Sequence, residues 1–485
     1  MVSSKTSWKL PTVINRNNGI LLGIALSLTG AYWVILIWNL PVFRSVPGYF
    51  WHAMASVDKP LGDLWIFPLI VVLSVAIIAL VLRYIDRHKL CLLLLILLGW
   101  CVQMGFGLIE GNGIDGIRSR MIDTGHAEFA RLAVVENDLI AVATEYEKLL
   151  ENPDIKYAQT KPPGQLLFHM VTQKISNLFM PTHTRGEKFI RLVTFASYVY
   201  PLISYLVIIP LYWLSRLFLQ RSQAIYPCIL FIFVPNVTLI TLHLDQVLYP
   251  TLFLATMYLS CRPAIKGNVL SASVAGFGLY LALYVSFSLL PLVFFSVVSI
   301  AIFSGALTSG YGRIRPFLRT LAGFFGGAII LWALLAVFLN YDPIIRYQSA
   351  IQFHQTWKNW TPGIGNTLLF ATLNYIEFAL WTGIPIIILY LAGLVRAARS
   401  TCCRCPSKLD ILSVSLAIGL ILLVLLGTTK GEVARLWIYL VPLLCIFACS
   451  ELFVRFRERN LIAFGVLLSI QLTTILLIKR FQDFW

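Results

Sequence analysis

The chain has 485 residues, of which 58% are hydrophobic and only 12% are charged, and its formal net charge is +16. Soluble domains carry roughly 25% charged residues, so this composition excludes an ordinary soluble protein. A positive charge can indicate nucleic acid as a partner. Here, however, the lysines and arginines cluster in short loops between apolar runs, which is typical of the inner face of a membrane protein. The sequence therefore predicts an all-α polytopic membrane protein.

Apolar runs long enough to cross a bilayer as helices recur along the chain. The basic N-terminus is expected in the cytoplasm, and spans near 19–42, 64–83 and 90–109 follow, the third ending on the outer face. Further spans are predicted near 189–215, 224–240, 242–260, 269–284, 287–304, 319–340, 373–395, 409–427, 433–453 and 460–479. This makes about thirteen transmembrane helices, with the C-terminus outside.

Two long loops are expected outside the membrane, at residues 110–188 and 341–372. Helical periodicity in the first loop predicts amphipathic helices that lie on the membrane surface.

An acidic segment, EGNGIDGIRSRMIDTGHAEFARLA, follows the third span. Asp115 and Asp123 are candidates for a general base that deprotonates an acceptor. His126 and Glu128 are expected to contact substrate. The alternative is that these are solvated charges, with Asp123 capping the N-terminus of the next helix.

The stretch YAQTKPPGQLLFH, residues 157–169, interrupts the apolar chain with a lysine, two prolines and a glycine. Proline fixes its own φ and keeps the preceding residue extended, so the backbone is expected to present Lys161 rigidly. A lysine at a membrane interface suits the phosphate of a lipid carrier. The alternative is a simple turn into a surface helix.

Two further charged segments are expected at the same outer face. TLHLDQVLYP places His243 and Asp245 between apolar runs, where they line a cavity or form a salt bridge. TTKGEVARLWIYLVP offers Arg435 as a phosphate ligand, or as the partner of Glu432 within one helical turn. Trp357 in the second outer loop is a candidate for stacking on a sugar, or an interfacial belt residue.

The nine cysteines are scattered, except for Cys402, Cys403 and Cys405 in a basic loop. A zinc site needs a fourth ligand and regular spacing, and the sequence has neither. These cysteines are predicted to be reduced thiols, with palmitoylation as the alternative. No metal ligand set is predicted anywhere in the chain.

The order of these features resembles the GT-C membrane glycosyltransferases. The match rests on the acidic segment after an outward-going helix, the KPPG elbow and the late GEVARLW segment, and it covers about residues 90–455. The resemblance implies that 90–455 form a catalytic transmembrane core, that 1–89 add a cytoplasmic tail and two spans, and that 456–485 form a last span and a short tail. The most similar members in pattern use polyprenyl-phosphate sugars, namely the protein O-mannosyltransferases and the lipid A aminoarabinose transferases. The resemblance implies that Lys161 and Arg435 bind the donor phosphate. It also implies an acidic pair where this chain has DTGHAEF, so Asp115 and Asp123 compete for the role of base.

These observations together predict inverting transfer of a monosaccharide from a polyprenyl phosphate to a lipid, glycan or protein acceptor. The reaction needs no cofactor, because protein cations stabilise the leaving phosphate. The expected location is a bacterial plasma membrane with the active site on the periplasmic face. Two alternatives stay open: a lipid-linked glycan polymerase or ligase, and a flippase-type transporter, which would carry charges at the midplane of its spans.

Overall fold

The computed structural model describes residues 16–40, 42, 49, 61–125, 127–179, 181, 184–240, 242–307, 314–357, 364–402, 406–425 and 429–482. In that part of the chain all regular elements are helices, and no strand occurs. The first twelve α-helices are α1 Arg16–Ile37, α2 Ile66–Arg83, α3 His88–Leu108, α4 Gly113–Ile122, α5 Ala127–Val135, α6 Leu139–Thr144, α7 Tyr146–Leu149, α8 Gly164–Phe179, α9 Arg185–Ser204, α10 Ile208–Ser215, α11 Ile225–Ile232 and α12 Pro235–Leu239. The remaining twelve are α13 Leu244–Val247, α14 Tyr249–Lys266, α15 Val269–Val285, α16 Pro291–Ser304, α17 Ile314–Leu339, α18 Pro343–Trp357, α19 Ile364–Thr382, α20 Ile384–Cys402, α21 Lys408–Leu425, α22 Val433–Leu436, α23 Val441–Phe456 and α24 Asn460–Phe481.

Within these ranges, ten helices are long and apolar enough to cross a membrane, so the protein is an integral membrane protein. They are Asn18–Ile37, Ile66–Arg83, His88–Leu108, Arg185–Ser215, Phe287–Ser304, Ile314–Leu339, Ile384–Cys402, Lys408–Leu425, Ile438–Phe456 and Asn460–Phe481. The helix Ile438–Phe456 lies in the interior, whereas α2 and α17 expose mostly apolar side chains, as helices that face lipid do. The all-helical fold is confirmed, and the count of about thirteen spans stays a prediction.

Three predicted spans correspond to shorter or more polar helices. The stretch 224–240 is divided into α11 and α12, because Pro235 begins a helix and holds Val234 in an extended conformation with ψ 128°. The stretch 242–260 is divided between α13 and α14. The stretch 269–284 forms α15, which is apolar but has only 17 residues.

The predicted span 373–395 is wrong, because two helices meet inside it. α19 ends at Thr382, Gly383 has φ 103°, and α20 begins at Ile384. Pro385 follows in the first turn of α20, where its missing N–H group costs no hydrogen bond. The membrane-crossing segment is therefore the later helix, Ile384–Cys402.

Both long segments that were expected to lie outside the membrane contain helices. Residues 110–188 form α4 to α8, and the periodic stretch within them is divided into three short helices rather than one. Asp138 causes one of these divisions, because its Oδ1 accepts hydrogen bonds from the N–H groups of Ile140 and Ala141 and so caps α6. In 341–372, Asp342 caps α18 in the same way, and α19 already begins within the expected loop.

Contacts between residues distant in sequence show which helix termini lie together at each of the two ends of the molecule. At one end, Lys479 of α24 lies 2.6 Å from Glu110, just after α3, and this end carries residues 157–169. At the opposite end, Asn18 of α1 donates a hydrogen bond to the carbonyl group of Arg455 in α23. We call these the elbow end and the arginine end. The arginine end collects the junctions between α2 and α3, α10 and α11, α20 and α21, and α23 and α24.

Candidate functional site

The elbow before α8 adopts the geometry that its prolines predict. A 3₁₀ helix covers Ala158–Thr160, and Lys161 follows in an extended conformation with φ −129° and ψ 155°. Pro162 disfavours a helical conformation for the residue that precedes it, and α8 begins two residues later at Gly164. The extended backbone predicted for Lys161 is confirmed.

Side chains from two other helices hold this elbow. The two carboxylate oxygens of Glu128 in α5 accept hydrogen bonds from the backbone N–H groups of Lys156 and Ala158, both at 2.8 Å. The buried hydroxyl group of Tyr146 lies 3.1 Å from the carbonyl oxygen of Ala158 and 3.3 Å from that of Lys161. The backbone of Lys161 is thus positioned by tertiary contacts as well as by the prolines.

Gly164 allows a close approach between the elbow and α15. A Cβ atom at this position would lie 2.4 Å from the carbonyl oxygen of Tyr284, near the end of α15. Real Cβ atoms do not come this close to a backbone oxygen, so any larger residue would push the elbow away. The glycine of the KPPG motif serves the approach of another helix.

Asp245 lies on α13, a single turn between α12 and α14, and its side chain is fully buried. Oδ2 of Asp245 lies 3.0 Å from Nη1 of Arg435, which is itself largely buried. A buried carboxylate needs such a partner, because its unpaired charge would be strongly destabilising. The salt bridge considered for this segment is therefore present. His243, the N-cap residue of α13, is buried beside it.

Glu432 and Arg435 lie in the segment that precedes the span Ile438–Phe456. Glu432 is the N-cap residue of α22 and has φ 59° and ψ 18°, in the left-handed region. Residues other than glycine rarely adopt this conformation, and those that do concentrate at functional sites. Oε2 of Glu432 lies 2.5 Å from Nη2 of Arg435, so the predicted pair within one helical turn also forms.

Two buried polar residues of α19 hold this segment, and the sequence analysis did not identify them. Oδ1 of Asn374 accepts a hydrogen bond from Gly431 N–H, and Oε1 of Glu377 accepts one from Ala434 N–H, both at 3.2 Å. The hydroxyl group of Tyr49 lies 2.8 Å from the second carboxylate oxygen of Glu377. Two polar residues one turn apart in an apolar stretch are the signal that could have found them.

Lys161, Asp245, Glu432 and Arg435 interact electrostatically, and we call this group the elbow cluster. Burial lowers the pKa of Lys161, although Asp245 opposes this shift. Burial alone would raise the pKa of Asp245, but Lys161 and Arg435 outweigh it and hold that pKa below its usual range. Asp245 is therefore an ionised counter-ion at neutral pH, and the four formal charges cancel.

Tyr157 connects the elbow cluster to α18. Its hydroxyl group interacts electrostatically with Glu432 and Arg435. Its ring packs edge to face on Trp357, with the ring centroids 5.0 Å apart. A Cβ atom on Gly125 would lie 1.8 Å from Cζ of Tyr157, so only glycine leaves room for this ring. Trp357, predicted to stack on a sugar, thus lies one ring away from the elbow cluster.

The two candidate bases have different surroundings. Asp123 is exposed at the C-terminus of α4, and its predicted role as a helix N-cap is wrong, because α5 begins at Ala127. It precedes Gly125 by two residues, and Gly125 packs against Tyr157. Asp115 lies on the exposed side of α4, with its carboxylate 2.8 Å from Nη2 of Arg118. Of the two, Asp123 lies in the segment that contacts Tyr157, the residue next to the elbow cluster.

The other predicted substrate ligands have separate outcomes. His126 lies outside the described residues. Glu128 has a structural role at the elbow, and its contact with substrate stays a prediction. Cys402 is exposed at the end of α20, and Cys403 and Cys405 also lie outside the described part of the chain.

No group of three or more histidine, cysteine, aspartate or glutamate side chains is arranged to hold a metal ion among the residues with described positions. Comparison of the chain with protein-family models and with curated proteins gives no match. The functional reading therefore depends on the geometry of the elbow cluster and on the motifs that first pointed to it.

Proposed function

We propose that the protein is a membrane glycosyltransferase that moves a monosaccharide from a polyprenyl-phosphate donor to an acceptor on the outer face of the membrane. One observation carries this proposal. Lys161 and Arg435, singled out as phosphate ligands from motifs far apart in the chain, both lie close enough to the buried carboxylate of Asp245 to lower its pKa. A lysine and an arginine that converge at the end of membrane spans suit a lipid phosphate.

In this proposal the phosphate binds both cations of the elbow cluster. Asp245 is fully buried and stays in place as the counter-ion of Arg435. The carboxylate of Glu432 is 21% exposed, and it is the group that an incoming phosphate displaces from Arg435. The left-handed backbone of Glu432 supports this role, because strained residues often occur where a ligand rearranges a site.

The proposed reaction is a single displacement. An oxygen of the acceptor attacks the anomeric carbon, and the bond between that carbon and the phosphate oxygen breaks. The bonding electrons leave with the polyprenyl phosphate, whose added charge Lys161 and Arg435 stabilise. The acceptor's proton passes to a carboxylate, and the configuration at the anomeric carbon inverts. The protein's own cations supply the electrostatic stabilisation, so the scheme includes no cofactor.

Asp123 is the preferred base in this scheme, and Asp115 is the second candidate. The segment of Asp123 packs through Gly125 on Tyr157, whose hydroxyl group interacts with Glu432 and Arg435. Asp115 already pairs with Arg118 on the exposed side of α4. A base must come within hydrogen-bonding reach of the acceptor, and the position of Asp123 supports that more directly.

The charge distribution supports an outward-facing site. The arginine end carries Arg83, Arg87, Arg221, Arg396 and Arg455, at the helix junctions opposite the elbow. Basic residues at the ends of spans are retained on the cytoplasmic side. The elbow end would then face the periplasm of a bacterial plasma membrane, and the N-terminus the cytoplasm.

The polymerase or ligase alternative shares this location, and it differs in using a glycan on a diphosphate carrier. The elbow cluster has two cations that are already partly neutralised, which favours a donor with one phosphate. The flippase alternative requires charged residues along a path at the midplane of the spans. The charges described above lie at the ends of the helices, which favours an enzyme.

The decisive experiment uses purified full-length protein in lipid nanodiscs with radiolabelled polyprenyl-phosphate sugars and acceptor membranes. We expect release of free polyprenyl phosphate together with transfer of the label. Asp123→Asn should lower transfer by at least about 100-fold, which is the lower end of the range for general base catalysis. Asp115→Asn should leave it nearly unchanged.

Lys161→Ala should abolish transfer as well, whereas Lys156→Ala is the matched control. Lys156 is an exposed lysine in the same segment, and its replacement should change nothing. If no donor releases polyprenyl phosphate, the enzyme class is wrong. If Lys161→Ala transfers the label as well as the wild type does, the site assignment is wrong.

A further inference from the structure

A groove of about 400 Å³ opens beside the elbow, between α7, the 3₁₀ helix Ala158–Thr160 and α18. This volume is in the range of small-molecule sites. The groove is lined by a mixture of carboxylate, amide, hydroxyl and aromatic groups, among them Glu147, Gln159, Ser349, Gln352 and Phe353. Groups of this kind bind hydroxyl-rich ligands, because amides and carboxylates bond the hydroxyls while a ring covers an apolar sugar face.

Arg346 forms one wall of the groove, although it is only 3% exposed. Its Nη1 lies 2.9 Å from Oε2 of Glu147, and its Nη2 donates a hydrogen bond to the carbonyl group of Gln159 at 2.8 Å. Its Nε has no hydrogen-bonding partner among the described residues. A buried donor without a partner costs free energy, so this wall of the groove is held by the two contacts of the guanidinium nitrogens Nη1 and Nη2.

The charges of the groove restrict the ligand. Glu147 and Glu151 carry two negative charges and Arg346 carries one positive charge. The net negative charge disfavours a second phosphate or another anion in the groove. An uncharged saccharide meets no such repulsion, and its hydroxyl groups can bond the exposed amide of Gln352.

The groove is connected to the elbow cluster through neighbouring residues. Gln159 lies two residues before Lys161, and Phe353 packs near Trp357, whose ring contacts Tyr157. Tyr157 in turn interacts with Glu432 and Arg435. A chain of sugars in the groove could therefore present its terminal hydroxyl over Tyr157 toward the donor.

We propose that this groove binds the saccharide portion of the acceptor through Gln352 and Phe353, with Arg346 holding the wall that Glu147 and Gln159 form. This inference rests on the proposed glycosyl transfer, but binding to the groove can be measured without turnover. Gln352 and Gln348 are both exposed glutamines of α18, and Gln352 lines the groove whereas Gln348 is not among its lining residues. They form a matched pair of positions.

The binding test is saturation-transfer NMR on the full-length protein in nanodiscs, with methyl glucoside, galactoside, mannoside and arabinoside as probes. We expect at least one glycoside to bind the wild type, and Gln352→Ala to weaken it about tenfold, as the loss of a hydrogen bond predicts. Gln348→Ala should bind as the wild type does, and Phe353→Leu, which keeps an apolar residue, should also weaken binding. Absence of binding to the wild type, or equal binding by Gln352→Ala, would overturn the proposal.

The donor assay separates this inference from the proposed function. At saturating acceptor, release of polyprenyl phosphate should be the same for wild type and Gln352→Ala, while Gln352→Ala should need more acceptor to reach half of its maximal rate of transfer. Glycoside binding that depends on Gln352, without any donor turnover, would support the groove and reject the proposed function. Donor turnover in which Gln352→Ala needs no more acceptor than the wild type would support the proposed function and reject the groove.

Discussion

The two ends of the molecule each contain a group of two cations and two carboxylates, built in different ways. At the arginine end, Arg396 lies 3.0 Å from one carboxylate oxygen of Glu451 and 3.4 Å from Asp410, while Arg455 lies 2.6 Å from the other oxygen of Glu451. We call this group the arginine cluster. Its members lie on α20, α21 and α23, which have 16 to 19 residues each. The elbow cluster instead uses one extended residue and two helices of four residues.

Under the proposed function, this difference corresponds to a structural role at the arginine end and a binding role at the elbow end. In the arginine cluster, Glu451 is 1% exposed and both of its oxygens are paired, so the group fastens three long helices together. In the elbow cluster, Glu432 is 21% exposed and has a left-handed backbone, and Lys161 is only partly buried. The two clusters differ in the length of the elements that carry them, and not in the exposure of their cations, since Arg396 is 42% exposed and Arg435 is 14% exposed. We expect substitutions at the two ends to separate stability from activity.

Glu451→Ala should have the largest effect on stability. It leaves Arg396 and Arg455 without their shared partner, and because these arginines are 42% and 23% exposed, the cost should be about 1.5–3 kcal/mol, as for the loss of a hydrogen bond to a charged group. Denaturant unfolding of the protein in detergent measures the loss. Glu145→Ala is the control, because its pair with Lys148 is exposed and such pairs contribute little. Turnover per folded molecule should not change in either variant, and a large fall in turnover without destabilisation would assign Glu451 to the site.

Lys161→Ala should show the opposite pattern. Removal of one cation from a leaving phosphate should lower turnover by about 100-fold or more, in line with the loss of other electrostatic contacts to a transition state. Stability should change less than in Glu451→Ala, because Asp245 keeps Arg435 as its partner. Lys161→Arg should recover part of the activity, since it restores the charge but not the compact ammonium group. Equal losses of stability and activity would mean that Lys161 is a structural residue.

Asp245→Asn should have a smaller effect that depends on pH. The pKa of Asp245 is lower in the folded protein than its usual value of about 3.9. Its contribution to stability is therefore complete above that value and is lost as the pH falls through the folded pKa. The wild type should be more stable than Asp245→Asn at pH 7, and the difference should shrink below about pH 4. A difference that stays constant from pH 7 to pH 3 would mean that the carboxylate charge is not what stabilises the site.

The helices that cross the membrane were predictable, because they depend on the average hydrophobicity of about twenty consecutive residues. Among the described residues, ten helices are long and apolar enough to span a membrane, and all but Ile384–Cys402 coincide with predicted spans, because hydrophobic length is the dominant requirement for crossing a bilayer. The error at 373–395 has a local cause, since one residue, Gly383, ends a helix inside an apolar run that continues past it. Hydropathy alone cannot detect a break of this kind, although Gly383 followed by Pro385 is a visible sign of one.

The site was predictable where a charge is conspicuous in an apolar sequence. Lys161, Asp245, Glu432 and Arg435 could all be found for that reason. The pairing of these residues with one another could not be predicted, because each segment also had a local explanation, such as a turn or an ion pair within one helix. The residues that hold the elbow and the segment before Ile438–Phe456 were also missed. Arg346 was one polar residue among several in an expected loop, and Glu377 lay in an expected span. Their partners are distant in sequence, and only the fold brings them together.

Glu128→Gln should have the smallest effect and tests whether the elbow needs its tertiary support. The amide keeps one acceptor oxygen but places an NH₂ group against the second backbone N–H, at Lys156 or Ala158. Loss of one hydrogen bond to a charged group costs about 1.5–3 kcal/mol when it is buried, and the exposed side of this elbow should reduce that to about 1 kcal/mol. Because Glu128 acts on the backbone before Lys161, the donor KM should rise several-fold while kcat changes little. Glu136→Gln, one residue after α5, is the control and should match the wild type. If kcat falls and KM is unchanged, Glu128 contacts the reacting groups directly and is not a positioning residue.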